Sequence, residues 1–495
     1  MTAVLVVGAG TAGCTLARRL VDAGRSVVLL EAGDRTVPEA VADPVRMHEL
    51  WDSSADWGFR TVPQTFAHDR RLHLPRGKAV GGSHALNAMI WVRGNPADYD
   101  TWAYLGNTDW SWARVQPVFE RIEKTQDVVT SYRPHPVHRS IVEAAVEYGL
   151  PYNADYNGKT QDGVSYVQLT VRDGRRLMTA DAYLGPVLRD PLLSLVPSAQ
   201  VRRLLFDGTR CTGAEYAKDG EVRTVTADRT VLCAGALGSP VLLQRSGIGD
   251  ADHLRALGLP VVAPLRGVGR NLQDHWLVPV VLDVDRAVTP EAGLPACQSQ
   301  LFWRSRADLA VPDLQPLMFG APLVTDWMQP PEHGVTLMAG IVRPASRGTV
   351  RLTSADPAAD PVSATAIDPR VLSADVDVDA MAAAVRLCRE IAAQPALRAG
   401  WGAREVYPAS LATTTDLLHD YIRETVVTYH HQAGTCAMGA NEDSVVDQRL
   451  RVHGVDGLWV ADASVMPTVT TGNTNAPVVM IAERAADLLL AGAAS

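Results

Sequence analysis

Val4-Leu5-Val6-Val7-Gly8-Ala9-Gly10-Thr11-Ala12-Gly13 opens the chain and decides its fold class. Four apolar residues, mostly β-branched, of the kind buried on both faces of a parallel sheet run into Gly8, which predicts a first strand. From Thr11 to Ala23 the period becomes helical: Leu16, Ala17 and Leu20 lie on one side, Arg18, Arg19 and Asp22 on the other, and Gly24 ends it. Val27 to Leu30 restart a buried strand. Such a β-α-β unit predicts a doubly wound α/β domain. Gly8, Gly10 and Gly13 fit G-x-G-x-x-G between strand and helix, and Glu31 follows at the end of the next strand. Gly8 allows the tight turn, Gly10 the approach of a pyrophosphate, and Gly13 the packing of helix on strand. Thr11 and Ala12 begin a helix whose dipole favours phosphate, and Glu31 accepts from a ribose hydroxyl. The motif marks a dinucleotide site and leaves NAD and FAD open.

Outward from this motif, 495 residues with 47% hydrophobic and 20% charged content predict two or three globular domains. A net charge of −9 argues against nucleic acid, and no apolar run approaches the ~20 residues of a membrane span. Cys14, Cys211, Cys233, Cys297, Cys388 and Cys436 form no CxxC pair, and the N-terminus has no signal-peptide pattern. A reducing, cytoplasmic location and no metal site are expected. Residues 36–75 lack periodicity, and 90–130, with Trp91, Trp102, Trp110 and Trp112 among turn signals, reads as an excursion around the first domain. Strand-like runs at 193–206 and 222–233 suggest that the first sheet resumes. Alternation at 277–284 and 335–353 predicts antiparallel strands, and 377–393 an amphipathic helix.

Gly77-Lys78-Ala79-Val80-Gly81-Gly82-Ser83-His84-Ala85-Leu86-Asn87 and the stretch from Gly235 to Gly249 (GALGSPVLLQRSGIG) resemble the two signature segments of the glucose-methanol-choline (GMC) oxidoreductases. Glu31-Ala32-Gly33, Gly267-Val268-Gly269-Arg270-Asn271-Leu272 and Val460-Ala461-Asp462-Ala463-Ser464 extend the resemblance to most of the chain. It implies FAD, oxidation of an alcohol and a fold that is α/β (α+β overall): a Rossmann-like FAD-binding domain interleaved with a substrate domain built on an antiparallel sheet with flanking helices. Residues 1–150, 190–275 and 430–495 are assigned to the first and 151–189 and 276–429 to the second. The cofactor contacts implied are Gly8, Gly10, Thr11, Ala12, Gly13, Glu31 and Ala32 at the fingerprint; Gly81, Gly82, His84, Asn87, Ala88 and Met89 at the second segment; and Val201, Ala234, Gly235, Asp462, Ala463, Asn473, Thr474 and Asn475 further on. Physically, Gly81 and Gly82 let a loop press on the cofactor, and Asn87 both donates and accepts. Some relatives attach the flavin through a histidine where this chain has Leu86, so non-covalent FAD is expected. His84 departs from the family's usual small residue and would reach the ring only through a shifted loop.

Tyr429-His430-His431-Gln432-Ala433-Gly434-Thr435 resembles the family's catalytic-histidine segment and assigns the active histidine to His431. Its side chain can take a hydroxyl proton near neutrality while hydride leaves the carbon. Gly472-Asn473-Thr474-Asn475-Ala476-Pro477 opens the last apolar helix and, by the same resemblance, puts the second catalytic residue at Asn473. Asparagine is no base, so it would hold the substrate oxygen beside His431. His430, Trp57 and Arg343 are pocket candidates. Trp51, Trp57 and Trp303 are available for a choline-type cage, but residues 299–306, expected over the pocket, carry Arg304 and Arg306 and no acid, which fits a neutral or anionic alcohol at least as well as choline. Electrons would pass to oxygen or another acceptor. A non-redox lyase of cyanohydrin type and a non-catalytic flavoprotein are the competing readings.

Overall fold

The computed structural model describes residues 3–325 and 327–491. β1 (Val4–Val7) lies in the middle of a five-stranded parallel sheet. It pairs with β2 (Val27–Leu30) on one side and the Arg229–Leu232 strand on the other, and Leu193–Val196 and Leu458–Val460 form the edges. A central strand covered on both faces has no polar side, which is why its residues do not alternate. α1 (Thr11–Asp22) packs on the C-terminal helix Asn475–Ala491, and Arg19 ion-pairs with Glu483 and Asp487 of that helix. The fit of helix to strand depends on Gly13, whose Cβ, if present, would sit on the Gly8 carbonyl.

Only part of 193–206 and 222–233 belongs to that sheet. Pro197 and Ser198, the latter at φ 53, break the first run, and Gln200–Asp207 leaves to form a three-stranded antiparallel sheet with Arg210–Lys218 and Glu221–Thr226. Residues 90–130 fold into two helices, Pro96–Tyr104 and Trp112–Gln126. Asn95 and Asp98 form a capping box at the first, with Pro96 in its opening turn, so the turn signals there mark a helix start. Trp91, Trp102 and Trp110 are fully buried.

The second sheet is antiparallel and seven-stranded, in the order Arg404–Tyr407, Trp276–Asp283, Gly334–Ile341, Leu317–Phe319, Cys297–Phe302, Gly163–Tyr166, with Val427–Thr428 also pairing with Trp276–Asp283. The alternation at 335–353 ends at Ile341, and Thr349–Leu352 instead pairs with Thr365–Asp368. The Asp375–Ala392 helix covers one face, packing Met381, Val385 and Ile391 among Val278, Val280, Leu337 and Ala339. Because strand side chains alternate, Leu277, Pro279, Leu317, Phe319 and Met338 face the other way, toward a cavity shared with the parallel sheet. Among the described residues no helix is long and apolar enough to cross a membrane.

Candidate active site

A cavity of about 1380 Å³ runs from the carboxyl ends of the parallel strands to the apolar face of the antiparallel sheet. Gly8, Gly10, Thr11, Ala12, Glu31, Ala32 and Val201 line its first part, the place where an open α/β sheet binds ligands. No side chain caps the N-terminus of α1 there. Glu31 accepts from the amides of Ala9 and Gly33, both at 2.8 Å. Burial pushes its pKa up to about 7, against the pull of these amides. A Cβ on Gly82 would stand 2.5 Å from Gly10 Cα, so the two glycine loops meet backbone to backbone. The Thr11 hydroxyl donates to Asn475 Oδ1 at 2.9 Å, joining α1 to the start of the last helix, where Asn473, Thr474 and Asn475 also line the wall. An uncapped helix end, a bare glycine cradle and an acid at the second strand are a donor set that fits the ADP half of FAD.

Ala88, Asn87, Ala234, Gly235 and Ala463 line the cavity too, whereas Gly13, Gly81 and Met89 lie behind its wall. Gly13 serves the helix–strand contact, Gly81 (φ 110) packs on Met178, and the Met89 amide donates to Asn87 Oδ1. Arg176 also donates to that oxygen and to the His84 and Asn87 carbonyls, fixing the loop from beneath. Asp462 faces the cavity but spends its oxygens on the chain, accepting from the Gly235 amide and Ser239 on one and from the Ser464 amide and hydroxyl on the other. His84 is fully engaged: Nδ1 bonds to Thr179 Oγ1 at 2.8 Å and Nε2 to Thr170 Oγ1 at 3.0 Å. Burial holds its pKa down at about 3, helped by Arg176.

At the far end His431 and Asn473 come together, with Asn473 Nδ2 3.3 Å from His431 Nε2. Asn473 Oδ1 accepts from Gln315 Nε2 at 2.9 Å, and the same nitrogen donates to Gln300 Oε1, so the amide is turned with its NH₂ toward the imidazole. His431 Nε2 is therefore an acceptor and the ring proton sits on Nδ1, which is 2.9 Å from Nδ1 of His275. Asp274 anchors the turn: it accepts from the His431 amide at 2.8 Å and from Thr428 and Gln432. Tyr429 stacks on His431 with centroids 4.6 Å apart and turns its hydroxyl away to the Gln315 carbonyl. Burial, then the neighbouring His275, His430 and Arg76, hold the His431 pKa well below the usual histidine range, so it rests as a neutral base.

His430, in the left-handed region at φ 68, lines the cavity with its ring 5.0 Å from Trp51. Trp57 lines it as well, with Lys78 Nζ 4.7 Å from the ring centroid. Arg343 does not: it pairs with buried Asp98 at 2.7 Å and with Thr471, holding the last turn before Asn473. Nor do the arginines of 299–306 reach the cavity, because Arg304 pairs with Asp162 and Arg306 with Asp308 after the strand has ended at Phe302. The sequence reading missed Asp274, His275 and Gln315. The first two stand two and three residues past the Gly267–Leu272 stretch, where adjacent titratable residues are a usable signal; Gln315 carries none.

Family descriptions of the N- and C-terminal parts of the GMC oxidoreductases match residues 2–277 and 344–482. The chain is 39% identical to an uncharacterized GMC-type oxidoreductase of Mycobacterium tuberculosis, over 98% of each chain. It is 36% identical to the mitochondrial choline dehydrogenase of Mus musculus, over 98% of this chain and 89% of that one. Pyridoxine 4-oxidase from Mesorbium loti superposes with a TM-score of 0.92 at 33% identity, covering 98% of this chain and 99% of that structure. The chain belongs to the GMC oxidoreductase family and is a flavin-dependent oxidoreductase acting on alcohols.

Proposed function

We propose that this protein oxidises a primary alcohol to an aldehyde with His431 as general base and Asn473 as the residue that positions the substrate oxygen. The observation that carries the reading is the pair itself: Nε2 of a neutral imidazole and an amide nitrogen 3.3 Å apart on one cavity wall. FAD, when bound, supplies the hydride acceptor. His431 Nε2 takes the hydroxyl proton: the bond from its Nδ1 to His275 keeps the ring proton off Nε2, whose lone pair accepts from Asn473 until the alcohol hydroxyl takes that place. Asn473, held by Gln315, donates to the alcohol oxygen as negative charge grows there. Tyr429 and the surrounding apolar residues exclude water from the base.

FAD is held without a covalent link in this reading, because Leu86 offers no nucleophile and both ring nitrogens of His84 are already bonded. Oxygen or another acceptor would take up the electrons that bound FAD receives. The test is anaerobic addition of primary alcohols to the purified yellow protein while the ~450 nm flavin band is followed. Bleaching is expected, and flavin should leave with the supernatant on acid precipitation. A band that no alcohol bleaches refutes the oxidation; flavin that stays with the pellet refutes the non-covalent link.

A further inference from the structure

Resting on the alcohol oxidation proposed above, we infer that the substrate is an uncharged primary alcohol carried on an apolar body, aliphatic or aromatic. The wall facing His431 and Asn473 is one face of the antiparallel sheet. Pro279 and Leu317 flank Met338 on its two neighbouring strands, Leu277 stands two residues before Pro279, and Phe319 two after Leu317. Val427, paired with Leu277, continues the surface. No residue of this face carries a charge, and the strand period sends their neighbours to the opposite core rather than to the cavity. Tyr429 contributes only its ring, since its hydroxyl donates to the Gln315 carbonyl.

Most of the charged groups that line the cavity are bonded away from this face, Arg70 to the Arg423 and Val426 carbonyls and Arg71 to the Thr61 carbonyl. Glu31 and Asp462 accept from the chain on the cofactor side. Asp52 pairs with Arg60 and His73. Arg76 donates to the His430 carbonyl. Arg245, whose Nε and Nη2 are buried without a hydrogen-bond partner, ends the Gly235–Arg245 helix, about 15 Å along its axis from the end beside Asp462. Glu424 is 42% exposed, near His68. A quaternary ammonium or carboxylate pressed on the sheet face would lose its water and gain no counter-charge from any residue of that face, and a polyol would bury hydroxyls there without partners. An alkyl chain or aryl ring gains there from apolar burial.

The test uses the wild-type holoenzyme and anaerobic flavin reduction by three kinds of probe: straight-chain primary alcohols from ethanol to octan-1-ol together with benzyl alcohol, the charged alcohols choline and glycolate, and glucose. Reduction efficiency should rise about fourfold per methylene along the early part of the series, the worth of burying one CH₂. The best apolar alcohol should exceed choline, glycolate and glucose by about a hundredfold or more. A flat or falling series overturns the inference. So does faster reduction by choline, glycolate or glucose, although alcohol oxidation itself then stands. If no alcohol of any kind reduces the flavin, both the inference and the reading beneath it fall.

Discussion

Replacing His275 by phenylalanine should slow flavin reduction without loosening the flavin. In the native site the Nδ1 proton of His431 is directed at His275 Nδ1, 2.9 Å away in a buried setting, while Nε2 of the same ring accepts from Asn473. Phenylalanine keeps the ring's bulk and removes the acceptor. His431 then has two options: it leaves a buried N–H unpaired, or it moves the proton to Nε2, where it faces the Asn473 NH₂ and cannot act as a base. The first costs about 1–3 kcal/mol, so the competent tautomer is disfavoured by that amount and the reduction rate falls roughly 5- to 150-fold. Stopped-flow absorbance at saturating alcohol measures the rate, and the 450 nm band of the purified protein measures flavin content. His275→Asn, whose Oδ1 can stand where Nδ1 was, should recover most of the rate. A phenylalanine variant that reduces at the wild-type rate would show that the tautomer is fixed by something else. Equal losses in the asparagine and phenylalanine variants would make the role of His275 one of packing.

Three further outcomes are expected. His431→Ala should retain FAD but reduce on the order of 10²–10⁴-fold more slowly, and an unchanged stopped-flow rate would remove it as the base. Gly13→Ala should be purified depleted of flavin and with a lowered melting temperature, because the new Cβ lands on the Gly8 carbonyl; a yellow protein of wild-type stability would contradict the helix–strand packing argument. His138, buried outside the cavity between Ser299 and the Ala296 carbonyl, has its pKa pushed down to about 3 by burial, against 6.5 for the free side chain. A lowered pKa gives stability that is full above pH 6.5 and is lost as pH falls toward 3. Between pH 7 and pH 5 the stability advantage of wild type over His138→Gln in urea unfolding should therefore shrink by about 2 kcal/mol, and a constant gap would refute a neutral buried His138.

What could be read along the chain is what neighbouring residues fix among themselves. The strand–glycine–helix opening carries its own turn geometry and burial period, so the parallel sheet and dinucleotide cradle follow from some thirty residues. His431 and Asn473 stand in local motifs and could be named from them, and Pro477 lies in the first turn of the last helix as its spacing implies. Other features depend on register between distant strands. His275 reaches His431 across 156 residues and Gln315 reaches Asn473 across 158, and no local period encodes either distance. The same holds for the apolar sheet face that lines the cavity. A strand running on through Arg304 and Arg306 would put them over the pocket; it stops at Phe302, and their partners are Asp162 and Asp308. Arg343 became a support once Asp98, 245 residues earlier, was seen to hold it. The sequence by itself determined the fold class, the glycine cradle at the parallel strands and the local motifs that carry His431 and Asn473, because each is a short-range pattern of backbone freedom and hydrophobic period. The tertiary structure decided the tautomer of His431 and the apolarity of the sheet face across the cavity, because both depend on which side chains distant segments bring into contact.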